Sequence, residues 1–561
     1  MLFSHGLDSL ARISAAICLG LLAYCTISAA MAGDSFAGSP TATASAARAF
    51  VSAPNSRGSS SVPGPAQRAA HMGETSIAGC SLYDKAGKIL KPSSVVFVDN
   101  DIYCLDADRL WCAPNAVSSL RGKEQLRMVD CGPMTPMIGR IPMQEFLNFA
   151  YAPKRRSLVV LDKSGDVYEF SLADRAWYVL RPNSPMGSPD PEYLDMAVSG
   201  ANICLLDPER NQIWRFPATS RKYFRDVLPW KVHSGDISVA NGIGIAYDGN
   251  AWVLRAGGSI SKFAADPEKG MATPLAFHWQ ALKKMRPSRF FTAPGAPLYI
   301  VERENNRVVA VDKQNGQWRQ FLFPAESDLR ALWVVADGFW IIDGSKLVHR
   351  DLTHADPSSA ACHPRSIDTR LAGLVMPLPG AHLPRHPGVW AGSRRLYRFG
   401  VHHGTDFFDD PGNGTHVHMD SPIYAADSGK IIRADATFKD MDAAKYSYVI
   451  YQCHNKHISA EGDEDLLRGC QVWLDHGNGL ITRYAHLDKI KPGLKPGMRI
   501  STGDLIGFVG VSGTGENLPG RAKHPHLHLE IYLDGKYLGY GLTPSETIGV
   551  YEDIFGNGPR G

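Results

Sequence analysis

Between residues 80 and 355 one short pattern returns six times, and it limits the architecture more than any other feature of this 561-residue chain. Each copy is a β-rich run that closes on an acidic or polar side chain, followed by a polar turn and a second β-rich run. The copies read Ile102-Tyr-Cys-Leu-Asp106, Leu158-Val-Val-Leu-Asp162, Ile203-Cys-Leu-Leu-Asp207, Trp252-Val-Leu-Arg255, Leu298-Tyr-Ile-Val-Glu302 and Trp340-Ile-Ile-Asp343. Their ends lie 41 to 56 residues apart. A hairpin-bearing unit with a period in the forties is the signature of propeller blades. Residues 76–355 are therefore expected to form a six- or seven-bladed β-propeller, which makes the fold class all-β.

The ends of this region separate it from unlike segments. Residues 1–32 combine a charge-poor start, an apolar run from Ile13 to Ala30 and the small-x-small site Ala30-Met31-Ala32, which predicts a cleaved secretory signal. Residues 33–75 are rich in Ala, Ser, Pro, Gly and Thr and cannot bury enough apolar surface to offset their ordering entropy, so they read as a disordered linker. No later run is long and apolar enough to span a membrane, and the chain is expected in a periplasm or outside the cell. Lys plus Arg number 59 and Asp plus Glu 56; that balance, with no basic stripe, argues against a nucleic-acid partner. Eight cysteines remain beyond the signal, none in a Cys-x-x-Cys pair, which disfavours a structural zinc knuckle. An even count in an exported chain fits disulfides, and Cys453 with Cys470 is the pair expected to close an insertion between Ile450 and Val472.

Residues 356–395 form a joint whose prolines (Pro364, Pro377, Pro379, Pro384, Pro387) forbid a long helix. Residues 396–561 are again strand-rich, with Tyr448-Val-Ile-Tyr451, Val472-Trp-Leu474 and Leu527-His-Leu-Glu-Ile-Tyr532 as expected strands. Histidine concentrates here in three clusters: His402-His403-Gly404-Thr405-Asp406, Arg483-Tyr484-Ala485-His486-Leu487 and His526-Leu527-His528-Leu529-Glu530. Zinc accepts imidazole nitrogen and carboxylate oxygen, and a catalytic site keeps one position open. On an extended strand His526 and His528 share a face, roughly 7 Å apart, and His402, Gly404 and Asp406 share a face in the same way. Two histidines and one aspartate thus make a plausible ligand set, with two further histidines close by. Cys453-His454-x-x-His457 and His416-x-His418 also have metal-like spacing but read as surface groups, His403 and His524 as neighbours lining a cleft, and His476 as a turn support.

The order and spacing of the three clusters resemble the LytM/lysostaphin-type zinc endopeptidases (peptidase family M23), which act on bacterial cell-wall peptides. Pro422-Ile-Tyr-Ala-Ala-Asp-Ser-Gly429, His476-Gly-Asn-Gly-Leu480 and Gly503-Asp-Leu-Ile-Gly507 extend the likeness across about 396–545. The resemblance implies a β-sheet groove with one Zn2+ per chain held by His402, Asp406 and His528. It makes His486 and His526 the catalytic pair beside the attacking water and the scissile carbonyl. It implies a peptidoglycan peptide as substrate. Two other readings stand beside it: a non-catalytic scaffold that activates another wall hydrolase, and an exported protease acting on proteins. Apart from the resemblance, the exposed loops at the blade edges are the expected surface for a wall glycan, a peptide or a protein partner, with a pure spacer as the other reading of the propeller. The long stretch Ser512–Lys523 and the insertion after Ile450 depart from the family pattern and border the expected groove. All five site residues lie within 375–561, so that segment is expected to be self-sufficient.

Overall fold

The computed structural model describes residues 79–556 apart from 107–108, 132–142, 181–192, 200–201, 217–227, 230–237, 265–272 and 276–284. The segments read as signal and linker lie outside the described residues. Each of the six repeated runs is the second strand of a sheet. The first sheet, for example, comprises Ser94–Val98, Asp101–Asp106, Arg109–Ala113 and Val129–Asp130, and the second Phe146–Ala152, Ser157–Asp162, Val167–Ser171 and Ala176–Val179. The first strands of neighbouring sheets lie against one another in turn, and the first strand of the sixth sheet, Leu329–Val335, lies against that of the first. That closes a ring of six blades. The sixth blade is completed by the N-terminal strand Gly79–Tyr83, which pairs antiparallel with Lys346–Asp351 through Cys80 and Leu347.

The acid that ends the repeated run recurs for a physical reason. It sits where the chain turns, and its carboxylate accepts hydrogen bonds that the turn would otherwise leave unmade. Asp207 receives the Trp214 indole N–H at 3.0 Å and the Arg210 backbone N–H at 3.2 Å. Buried Glu302 receives the Arg286 backbone N–H at 2.5 Å and the Asn305 amide at 2.9 Å.

The C-terminal part is built on an antiparallel sheet whose main strands we number β1 (Thr405–Phe408), β2 (Gly429–Ala434), β3 (Val472–Gly477), β4 (Leu480–Ala485) and β5 (His526–Leu533). Their spatial order is β1-β5-β4-β3-β2. A three-stranded sheet of Pro422–Tyr424, Leu505–Val509 and Leu487–Ile490 accompanies it. On β5 the side chains alternate as the pleat requires. Leu527, Leu529 and Ile531 enter the apolar core with Ile431, Val472, Leu474 and Ile506, which leaves His526, His528 and Glu530 on the opposite face. The segment expected as a joint also feeds this core: Leu371, Leu374, Leu378, Val389 and Trp390 are buried in it.

Two expectations for the insertion are corrected. Tyr448–Tyr451 is not a strand but part of helix α1 (Ala443–Lys456), followed by α2 (Glu461–Arg468). The aromatic and β-branched run suggested a strand, yet Asp442 caps the helix by accepting the Lys445 N–H at 2.7 Å. Val449, Ile450 and Cys453 then recur at helical spacing on its buried face. Cys453 and Cys470 are both free thiols and not a disulfide. Cys453 belongs to that helix face, whereas Cys470 lies in the sheet core with Sγ 3.5 Å from the Asp435 carbonyl.

Candidate active site

Register brings the three histidine clusters together. On paired β1 and β5, Asp406 stands opposite His528 and Phe408 opposite His526; β4 flanks β5 on its other side, with Ala485 opposite His528. His402 Nε2 lies 3.0 Å from Asp406 Oδ1 and 2.9 Å from His528 Nδ1, and His528 Nδ1 lies 2.7 Å from Asp406 Oδ1. All three residues are buried. Gly404 is required by the packing: a Cβ there would stand 2.8 Å from His528 Cε1 and 2.6 Å from the Leu529 carbonyl.

The outer hydrogen bonds of each ring fix which nitrogen carries a proton. His402 Nδ1 donates to the Trp390 carbonyl at 3.1 Å, and His528 Nε2 donates to Glu530 Oε1 at 3.1 Å. His486 Nδ1 donates to the Ser512 carbonyl and His526 Nδ1 to the His524 carbonyl, each at 2.9 Å. Each ring therefore turns a lone pair inward. Two of these lone pairs and a carboxylate oxygen converge within 3.0 Å, an arrangement that repels itself unless a cation sits among them. This donor set, two imidazole nitrogens and one carboxylate oxygen, fits a metal ion with an open position.

The electrostatics agree. Burial and the nearby Arg395 push His402 down to about 3. Burial also lowers His526, and burial with the neighbouring His526 and His528 holds His486 well below the ordinary histidine range. Asp406 is held well below the usual carboxylate range: burial raises it, but His402, His528 and His526 outweigh that. His528 is the exception. Burial lowers it, yet the hydrogen bonds to Asp406 and Glu530 win and it lies above its ordinary value. A proton is the small cation that competes for the same lone pair.

His486 and His526 stand beside this cluster, their rings 4.8 Å apart, with His486 5.4 Å from His528. His486 has φ +60°, a left-handed conformation that costs a non-glycine residue about 1–3 kcal/mol. Its backbone N–H is held by the Arg468 carbonyl at the end of α2, at 2.9 Å.

Three partners complete the site beyond the expected ligands and catalytic pair. Glu530 stands in the third cluster, and the alternation that places His526 and His528 on one face puts it there too, yet the sequence reading gives it no role. Arg395, whose Nη2 is 2.9 Å from Asp406 Oδ2, and Arg468, whose Nε is 2.6 Å from Glu530 Oε1, carry no local signal. The other histidines singled out by their spacing lie outside this donor set. His454 binds the Tyr397 carbonyl at 2.9 Å and both His454 and His457 pack on Phe399. His476 bridges the Ser428 carbonyl and Thr482. His416 is exposed, and His524 pairs with Glu516 at 3.0 Å.

Among known proteins, residues 400–539 match Peptidase family M23. A 68-residue stretch is 40% identical to the peptidoglycan DD-endopeptidase ShyA of Vibrio cholerae, covering 12% of this chain and 14% of that relative's length. Among solved structures, a streptogramin B lyase is similar at TM-score 0.32 and 13% identity, over 47% of this chain and 83% of that one. The PorZ protein of Porphyromonas gingivalis is similar at TM-score 0.31 and 13% identity, over 82% and 53%. Strand order and ring closure make the N-terminal region a six-bladed propeller.

Proposed function

We propose that the M23 domain at residues 400–539 makes this chain an exported zinc-dependent endopeptidase that hydrolyses amide bonds in peptidoglycan peptides. The observation that carries the reading is the convergence of His402 Nε2, His528 Nδ1 and Asp406 Oδ1 beside two more inward-facing imidazoles. The name of the Vibrio relative supports the substrate class, and the apolar N-terminal run with its small-x-small site supports export.

His402, Asp406 and His528 would hold the zinc, which when bound lowers the pKa of water and polarises a carbonyl. The protein's own groups supply the rest. His486 and His526 are neutral at neutral pH because burial disfavours their charged forms. A neutral Nε2 accepts a proton from the attacking water, and the imidazolium so formed delivers it to the departing amine nitrogen. The outer bonds to Ser512 and His524 keep both rings in the tautomer this requires. Phe408 stacks on the His526 ring, centroids 4.1 Å apart, and supports its orientation.

The test is digestion of purified peptidoglycan by the full chain with zinc, followed by mass analysis of the released muropeptides. The expected result is loss of peptide-linked species with new free amines and intact glycan. Unchanged muropeptides alongside cleavage of a protein substrate would favour the protease reading. Unchanged muropeptides alongside stimulation of a second wall hydrolase would favour the scaffold.

A further inference from the structure

We infer that the propeller completes the peptidase site: Glu145 and Lys163 are positioning residues that hold the Tyr537–Gly541 turn and, through His403 and Arg468, fix Glu530 behind His528. This rests on the metal-site reading above.

Glu145 and Lys163 belong to the second blade and are almost wholly buried, at 5% and 6% exposure. A buried ion pair is costly unless every remaining donor and acceptor is matched. Here the matching groups come from the other domain. Lys163 Nζ, 2.8 Å from Glu145 Oε1, also donates to the Tyr537 hydroxyl at 3.1 Å and to the Gly539 carbonyl at 2.7 Å. Glu145 accepts from the Tyr537 hydroxyl and from the Gly541 backbone N–H. One propeller ion pair thus grips a five-residue turn at three points.

The turn leads to the site. The Tyr537 ring stacks on His403, centroids 4.9 Å apart and planes 24° from parallel. His403, adjacent to His402 in the chain, places Nδ1 3.1 Å from Glu464 Oε2 and 3.2 Å from Arg468 Nη2. Arg468 bonds Glu464 at 3.0 Å and Glu530 at 2.6 Å. Glu530 in turn orients His528. A second thread reaches the other ligands. Propeller residue Gln144 donates to the Phe399 carbonyl at 3.0 Å, three residues before His402. Gly165 leaves no room for a Cβ beneath the Arg394 guanidinium, and Arg394 precedes the Arg395 that binds Asp406. Residues 375–561 carry all five proposed site residues, but alone they would lack this grip and hold metal less tightly.

The experiment uses the full chain and Co2+, whose visible absorption reports ligand geometry and whose affinity is read by chelator competition. Glu145→Gln, Lys163→Met and Tyr537→Phe should each weaken Co2+ binding about tenfold, the low end for partners outside the ligand shell. They should also alter the absorption band and lower kcat more than they raise KM. Tyr537→Phe removes one hydroxyl and keeps the ring on His403, so it remains informative if a charge variant fails to fold. If the grip acts as a unit, Lys163→Met with Tyr537→Phe should be no worse than either alone. Arg286→Ala is the control: it breaks an exposed interface pair with Glu552 and Asp553, 3.5 and 3.3 Å, and should leave the Co2+ spectrum and affinity unchanged. Folded Glu145, Lys163 and Tyr537 variants with wild-type affinity and spectrum would overturn the inference. A wild-type chain that binds no Co2+ would instead take down the metal-site reading and this inference together.

Discussion

Replacing Glu530 by glutamine keeps the volume of a side chain that is 1% exposed and removes its charge. Three cationic or N–H partners lose a carboxylate at once: Arg468 Nε at 2.6 Å, His528 Nε2 at 3.1 Å and Arg483 Nη1 at 3.2 Å. Removing one member of a buried pair typically costs 3–5 kcal/mol because the other charge is left uncompensated, a figure of roughly that order. The lower end is expected here. Arg468 keeps Glu464 at 3.0 Å, and Arg483 stays stacked on Trp473 and Tyr532 at 3.9 and 4.1 Å. A loss of about 3 kcal/mol in the zinc-free protein follows. If the amide nitrogen turns toward His528, two donors face each other and the inward lone pair is lost. If the oxygen turns there, a neutral acceptor replaces a charged one. Zinc affinity should therefore fall about 10- to 100-fold, equal to about 1.4–2.8 kcal/mol. Denaturant unfolding without zinc measures the first quantity and chelator competition the second. Stability lost with zinc affinity intact would refute the orienting role of Glu530 and leave it as a partner of the arginines alone.

His528→Ala, His402→Ala and Asp406→Ala should lose bound zinc, whereas His486→Ala and His526→Ala should keep most of it and lose about 10²–10⁴-fold in turnover; metal content beside initial rates decides, and zinc lost from His486→Ala but retained by His528→Ala would reverse the roles. Gly404→Ala removes no ligand, yet its Cβ would press on His528 and the Leu529 carbonyl, so zinc content should fall with the sheet still folded by circular dichroism. Glu304 is raised to about 7 by burial and its contact with Asp553, against Arg365 and Arg303. Because the folded state holds that proton more tightly than the unfolded state, its contribution to stability is full below the ordinary value of 4.5 and declines as pH rises to about 7. Glu304→Gln should flatten that decline in denaturation curves taken from pH 4.5 to 8, and an unchanged slope would count against it.

The parts of the fold that could be read from the chain are those written in short-range chemistry. A buried β-run capped by Asp162, Asp207 or Glu302 needs only its own turn, so all six second strands were visible. The zinc-type motif was visible because alternation along β5 fixes which side chains share a face, and the same rule reaches Glu530. Long-range pairings were not. Closure of the ring depends on Leu329–Val335 meeting Ser94–Val98, and completion of the sixth blade on Gly79–Tyr83 finding Lys346–Asp351; no local pattern encodes either pairing. Helix α1 was misread because Tyr448-Val-Ile-Tyr451 suits a strand locally, while the Asp442 cap and the buried face of Val449, Ile450 and Cys453 override propensity. The grip of Glu145 and Lys163 on the Tyr537 turn joins residues about 375–395 apart in sequence, beyond any motif.

The central claim is that His402, Asp406 and His528 hold a zinc ion on which amide hydrolysis depends. Its most direct test is a titration: the full chain, stripped by chelator and refilled stepwise with zinc, assayed for amines released from purified peptidoglycan. The account predicts no release without metal and a linear rise that saturates at one zinc per chain. Release by the stripped protein, or full zinc occupancy with no release, would contradict it.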